Sequence, residues 1–560
     1  MSAASHIMQA SLVLQKAGRL DASTAELASR AGRFPFHLLA PLDPRFGARS
    51  LPCWGHEGYW MIPTQWMPVA GFMRELDPAF ARDMAWAWDQ LGRPMEDHHD
   101  AGFSERAILH ADLLAGLPPK YVPERLASRW LPGFGATMRA HAGTPDELYF
   151  SLRQGYMVSH SDANQGSFVI HAKGAPLTTL SIFQYAMHQY PEYIKLNEEF
   201  GWHNRVRFDS ITNNGGWPGG GIASNVHAHA FSDSADYIRA VGDYGPQRWT
   251  RQVMLMKSRR AGGMDYLVFR DSFRSLDGDA GKLQQKWWYL NTPGEKTLVT
   301  AAPDGMTYRS PYGAQLHVRF MQPATVPAEL RDATGTGPVY NHAARLWQKM
   351  GLPVESGKDT GIQVKQMATV TGFGPIAAGQ DIIVLLTPAR EGEQLPQFEL
   401  IGQGVLRVKT GESTDYVFLG VEPGTFSQDG VSFTGVAGAV RVFADGVHLV
   451  MAEGPGEVGC QGTVLRCAVP ATRVFPKASL KRGVTEIEAP PHSIAFKFDR
   501  AGAKAEAVRP GVTKHTFDGG VAYEFESPEQ IEFNAGGIKF VGRRGGVIVD
   551  DKAGTTRMVC

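Results

Sequence analysis

Cysteine is scarce in this chain. Its 560 residues hold only Cys53, Cys460, Cys467 and Cys560, with no CxxC pair. Cys460 and Cys467 are spaced to bridge a hairpin, but two buried free thiols are the expected reading. Charge of one sign is equally lacking, with 56 basic against 56 acidic residues and no lysine-rich block. That argues against nucleic acid or an anionic membrane as the main partner, while leaving room for a local basic cleft. No run of eighteen apolar residues exists, so no membrane-spanning helix is expected. The start, Met1-Ser2-Ala3-Ala4-Ser5-His6, lacks a basic head followed by an apolar run and does not read as a secretory signal. The expected location is cytoplasmic, or periplasmic or secreted if the natural start is missing. Internal repeats and low-complexity segments are absent as well.

Glycine and proline are plentiful, at 63 and 35 residues, and most glycine falls after residue 130. A turn-rich β-protein over the later three quarters follows. The length predicts two to four domains. The fold class expected is α+β and multidomain, in three regions: a helical region over 1–133, a large antiparallel β-sandwich over 134–395, and a C-terminal β-rich region over 396–560.

In the first region helical spacing runs from Ile7 to Leu20. A second helix is expected over Asp21 to Ala31, capped near Ser23 or Thr24, and a third over Tyr59 to Leu76. Asp77-Pro78 reads as a capping residue with proline at the first helical position, opening a helix through Met84, Trp86 and Trp88 to Gly92. Ser104 opens another, stopped at Gly116-Leu117-Pro118-Pro119, and a short one is expected from Pro123 to Ser128. Helical hairpins with short connections predict an (α/α) solenoid or toroid. After Trp130-Leu131-Pro132-Gly133 the pattern changes to short alternating runs between glycine turns. They include Leu148 to Arg153, Ser167 to Ala172, Asn204 to Asp209, Val226 to Phe231, Trp249 to Met256, Tyr266 to Arg270 and Lys286 to Leu290, and later Val405 to Lys409.

The densest polar stretch is Ser159-His160-Ser161-Asp162-Ala163-Asn164-Gln165-Gly166-Ser167-Phe168, just before a predicted strand. Polar groups that crowded at a strand mouth cost desolvation energy unless they meet a ligand, a metal or each other. The stretch resembles the start of the β-domain in heparinase II/III-like polysaccharide lyases. Gly174-Ala175-Pro176-Leu177, His203-Asn204-Arg205-Val206 and Asp265-Tyr266-Leu267-Val268-Phe269-Arg270-Asp271 follow in the family's order. The resemblance runs from about Trp54 to Gly462. It implies an (α/α) toroid, here partial and shortened, beside the β-sandwich, with the substrate cleft between them. It also implies cleavage of a uronic-acid glycan by β-elimination.

That reaction must neutralise a carboxylate, remove the weakly acidic C5 proton and protonate the leaving oxygen. It requires no organic cofactor. The resemblance makes His160 the leading catalytic candidate, as neutraliser or as acid/base. Tyr59, within Trp54-Gly55-His56-Glu57-Gly58-Tyr59-Trp60, resembles the helix start that carries the family's catalytic tyrosine. A helix N-terminus favours a phenolate, and His56 flanks the same face. Trp54, Trp60 and Trp217, with Asn164 and Gln165, are the substrate-binding candidates; Trp217 lies in a glycine-dense flap. Relatives hold zinc near this point, and His203 and Asp162 are the ligands carried over. A second histidine and an aspartate of the zinc set are replaced, by Asp162 and by Thr179 or Leu180. Zinc needs about three or four ligands, so a zinc or other divalent site is a weak expectation. His227 and His229 share one face of a predicted strand, and a solvated face is expected there. Arg139, Arg153 and Arg205 suit uronate carboxylates, with surface ion pairs as the default. The partner expected is an acidic polysaccharide or oligosaccharide. The alternatives are a non-catalytic glycan-binding protein and a glycoside hydrolase on a toroid, the latter requiring two facing carboxylates.

Overall fold

The structure is a computed structural model. The residues it describes are 11–559 apart from 12, 16, 20, 45–46, 50, 53, 55–65, 75–76, 92, 94–109, 111, 119, 156–164, 180–202, 209–223, 295–296, 340–353, 358–360, 483, 489–501, 536–537 and 553–554. Strands dominate, in several sheets, and helices are few. The chain divides into two compact units, one of residues 1–227, 239–251 and 260–393, the other of 228–238, 252–259 and 394–560.

In the first unit a helix spans Ala22–His37, capped by Asp21, whose carboxylate accepts from Thr24 N at 2.7 Å. The cap is therefore Asp21 rather than Ser23 or Thr24, because a β-region residue one place earlier aims its carboxylate at the orphan amide. The helix also outruns the expected Ala31, and it ends where Phe36 enters the core. Trp66–Met73 and Pro78–Gln90 are helical too. Asp77 caps the latter as expected, accepting from Phe80 N at 3.0 Å. Phe80 through Trp88, Arg82 apart, are buried, so this helix is enclosed on most sides. A short helix covers Asp112–Ala115. Pro123 to Ser128 is not the helix expected; Leu126 N bonds Pro123 O at 3.0 Å in a single turn. The strand Arg129–Leu131 begins too soon for a helical nucleus to propagate.

Five antiparallel strands follow in sequence order: Arg129–Leu131, Gly135–Ala140, Leu148–Arg153, Phe168–Ala172 and Ala175–Pro176. Every residue of the middle three is buried, so both faces of this sheet are covered. An eight-stranded sheet includes Gln247–Met256, Tyr266–Ser275, Ala314–Gln322 and Ile382–Arg390. A further five-stranded sheet includes Val206–Phe208, Lys286–Pro293 and Gly361–Ile376. One aromatic core joins the three. Phe168 lies 5.0 Å from Phe269 and 5.9 Å from Trp288, and Phe320 lies 4.7 Å from Phe373.

The second unit holds a fourteen-stranded sheet. Its core stacks Phe418 on Phe433 at 4.3 Å, and Cys460 and Cys467 are buried free thiols. Cys460 faces Thr463 across the hairpin while Cys467 faces Gly456, so register keeps the sulfurs apart. One end of the sheet is the strand Lys504–Arg509, every residue of which is exposed. Among the described residues no helix is long and apolar enough to cross a membrane.

Candidate active site

The segments that frame the polar stretch converge within the first unit. Gly166 takes φ +76°, and a Cβ there would stand 2.3 Å from the Trp249 ring, so the turn requires glycine. Gly166 N donates to Arg153 O at 2.7 Å, which hands the chain into the strand Phe168–Ala172. Asn204 ties its own segment to that strand. Its backbone N–H donates to Ser167 Oγ at 3.1 Å, and its side-chain amide to Phe168 O at 2.7 Å and Thr179 O at 2.8 Å. Its Oδ1 accepts from Asn291 N at 2.6 Å. A buried amide so fully bonded holds one orientation.

Beneath both segments lies a buried ion pair. Arg251 donates through Nε to Asp271 Oδ1 at 2.7 Å and through Nη2 to Oδ2 at 2.8 Å. The indoles of Trp249 and Trp288 donate to the same carboxylate at 2.8 and 3.1 Å. Arg251 Nη1 reaches Gly166 O at 2.6 Å and Asn204 O at 3.4 Å. Its guanidinium also lies over the rings of Trp249 at 4.8 Å and Phe168 at 5.4 Å. One side chain thus joins segments far apart in sequence.

His203 is buried, beside Asn204. Gln165 is buried too, and among the described residues no group donates to its Oε1. Trp54 is half-buried and meets Phe134 edge-on at 5.9 Å, in the core beside the helices. His160, Tyr59, His56, Trp60, Asn164, Trp217 and Asp162 lie outside the described residues. His227 is exposed and His229 half-buried, with burial lowering the His229 pKa. Arg139, Arg153 and Arg205 depart from the surface default, since all three are buried. Arg139 pairs with Glu147 at 2.6 Å. Burial pushes Arg153 and Arg205 down to about 10, with Arg205 over the Tyr244 ring at 5.2 Å. Their cationic heads follow apolar stems into aromatic surroundings, which composition alone does not disclose.

The metal expectation rests on His203 and Asp162, of which Asp162 lies outside the described residues. Among the described residues no three His, Cys, Asp or Glu side chains converge, and Thr179 spends its carbonyl on Asn204. The structure also adds residues that the sequence reading passed over: Arg251, Trp249, Trp288 and Asn291. The spacing of Trp249 and Arg251, two apart on one face of a strand, was the available signal.

No protein-family model and no curated protein matches the chain. Solved structures similar to it include polysaccharide lyases. One is the heparan sulfate lyase HepC of Pedobacter heparinus, at TM-score 0.47 and 11% identity over 73% of this chain and 55% of that one. Another is the heparinase III BT4657 gene product, at TM-score 0.44 and 11% identity over 82% and 53%. A chondroitinase AC lyase has TM-score 0.34 and 11% identity over 81% and 73%. The chain spans about half the length of HepC and of the heparinase III gene product.

Proposed function

We propose that the chain is a heparinase II/III-like polysaccharide lyase that cleaves a uronic-acid glycan by β-elimination. The observation that supports this reading is the meeting of Gly166-Ser167 with Asn204, the residue after His203. Asn204 N bonds Ser167 Oγ, and Arg251 bonds the carbonyls of both Gly166 and Asn204. His203 directly precedes Asn204, and His160 lies outside the described residues, six positions before Gly166 in the sequence. In the proposed cleft, between a partial toroid and the β-sandwich, His160 neutralises the uronate carboxylate or exchanges the proton. Tyr59 supplies a phenol for base or acid duty, with His56 beside it. Trp60 and Trp217 offer stacking faces, and Asn164 offers an amide for sugar hydroxyls. The metal is left out of the mechanism, because His203 and Asp162 alone fall short of a zinc set.

The test is incubation with alginate, heparan sulfate, chondroitin sulfate, hyaluronan, ulvan and glucuronan. Ultraviolet absorbance of the unsaturated uronate is expected on at least one. Reducing ends without that absorbance would mean hydrolysis, and binding without any product would mean a glycan-binding protein; either result overturns the proposal. His160→Ala is expected to abolish turnover with an unchanged circular dichroism spectrum.

A further inference from the structure

We infer that Arg251 and Asp271 form a positioning pair that sets the turn at Gly166 and the segment of His203-Asn204 in one arrangement, and that turnover depends on it without either side chain meeting substrate. Only the kinetic half rests on the lyase reading. The hydrogen bonds are committed on all sides. Each oxygen of Asp271 accepts one bond from Arg251 and one from an indole. The opposite edge of the guanidinium donates to Gly166 O and Asn204 O. Gly166 lies in the stretch that begins at Ser159, and Asn204 directly follows His203. A shift of the guanidinium therefore moves both carbonyls together.

Stability alone gives little reason for such a pair, since apolar replacements of a buried pair are often neutral or stabilising. Geometry gives one: a planar fork holds two carbonyls and a carboxylate in fixed directions, which a lysine ammonium does not. Small misplacements of reacting groups cost rate far more than they cost fold.

The double variant Arg251→Met/Asp271→Asn removes both charges and keeps an acceptor for one of the two indoles. It is expected to fold, with a Tm near that of the wild type. Amide hydrogen exchange should quicken in peptides covering 165–172 and 203–208 and stay unchanged elsewhere. Turnover should fall by about a hundredfold with KM little altered. If the double variant does not fold, Arg251→Lys is read in the same way, with the same expected results. Unchanged exchange in both peptides of a folded variant overturns the inference, and so does full turnover. If the wild type cleaves no glycan, the lyase reading falls and the exchange result alone decides the pair.

Discussion

Arg139 and Glu147 form a buried ion pair, with Nη1 2.6 Å from Oε1, and Arg49 holds the other carboxylate oxygen at 2.7 Å. Arg139 also donates to His37 O at 3.1 Å and Leu39 O at 2.6 Å, so the carboxylate anchors a cation that finishes the first helix. Burial raises the Glu147 pKa, but the two guanidiniums outweigh it and the net shift is downward. Glu147→Gln strands two buried cations and is expected to cost about 3–5 kcal/mol. Denaturant unfolding of the variant measures it. The wild-type pair contributes fully above the ordinary carboxyl value of 4.5 and is lost as pH falls through the lowered folded value. The variant's acid limb should therefore be flatter.

Three histidines are held neutral by the fold. Burial, helped by Arg129 and Arg139, pushes His37 down to about 3. Burial and then Arg319 bring His317 to about 4, and burial with Arg441 and Arg259 brings His448 to about 4. Below the ordinary value of 6.5 the unfolded chain binds protons that the folded chain refuses, so stability declines as pH drops from 6.5 toward 4. A Tm series from pH 7 to pH 5 should fall steadily. His317→Gln should lessen the slope.

Gly166→Ala places a methyl against Trp249 at a left-handed φ. A loss of about 1–3 kcal/mol is expected, with altered tryptophan emission as the indole that bonds Asp271 moves. Unchanged emission and Tm would mean that the turn relaxes without disturbing the ring.

Asp77→Ala removes a helix cap that also meets Arg33 at 2.5 Å. The expected cost is about 1–2 kcal/mol. Asp21→Ala, at the exposed cap of the first helix, should cost less. Thermal melts of the two variants rank them.

Much of the strand pattern was legible where alternation met turn residues. Leu148–Arg153 and Val405–Lys409 begin and end where their apolar periods do. Ala235–Tyr244 went unread because Gly242-Asp243 reads as a turn, although the strand runs through it. Leu298–Ala302 was hidden for another reason: it is largely exposed and shows no hydrophobic period. Among the helices, Asp77-Pro78 marked its start in the sequence, whereas the end of the first helix was set by tertiary burial of Phe36. The candidate site was legible only as short motifs. Asn204 stood inside one of them, but its four partners come from Ser167, Phe168, Thr179 and Asn291. Pairing of Arg251 with Asp271 depends on how two strands align, and no spacing rule reveals that.

Among the described residues the strand Lys504–Arg509 ends the order of its sheet, paired with Val512–Phe517. Such a rim invites another copy to dock by main-chain pairing. Lys504, Glu506 and Arg509 stand guard there, since a docking copy would have to dehydrate them. Colloidal behaviour of the protein thus depends on the charges along this margin, and neutralising them would convert it into an adhesive seam.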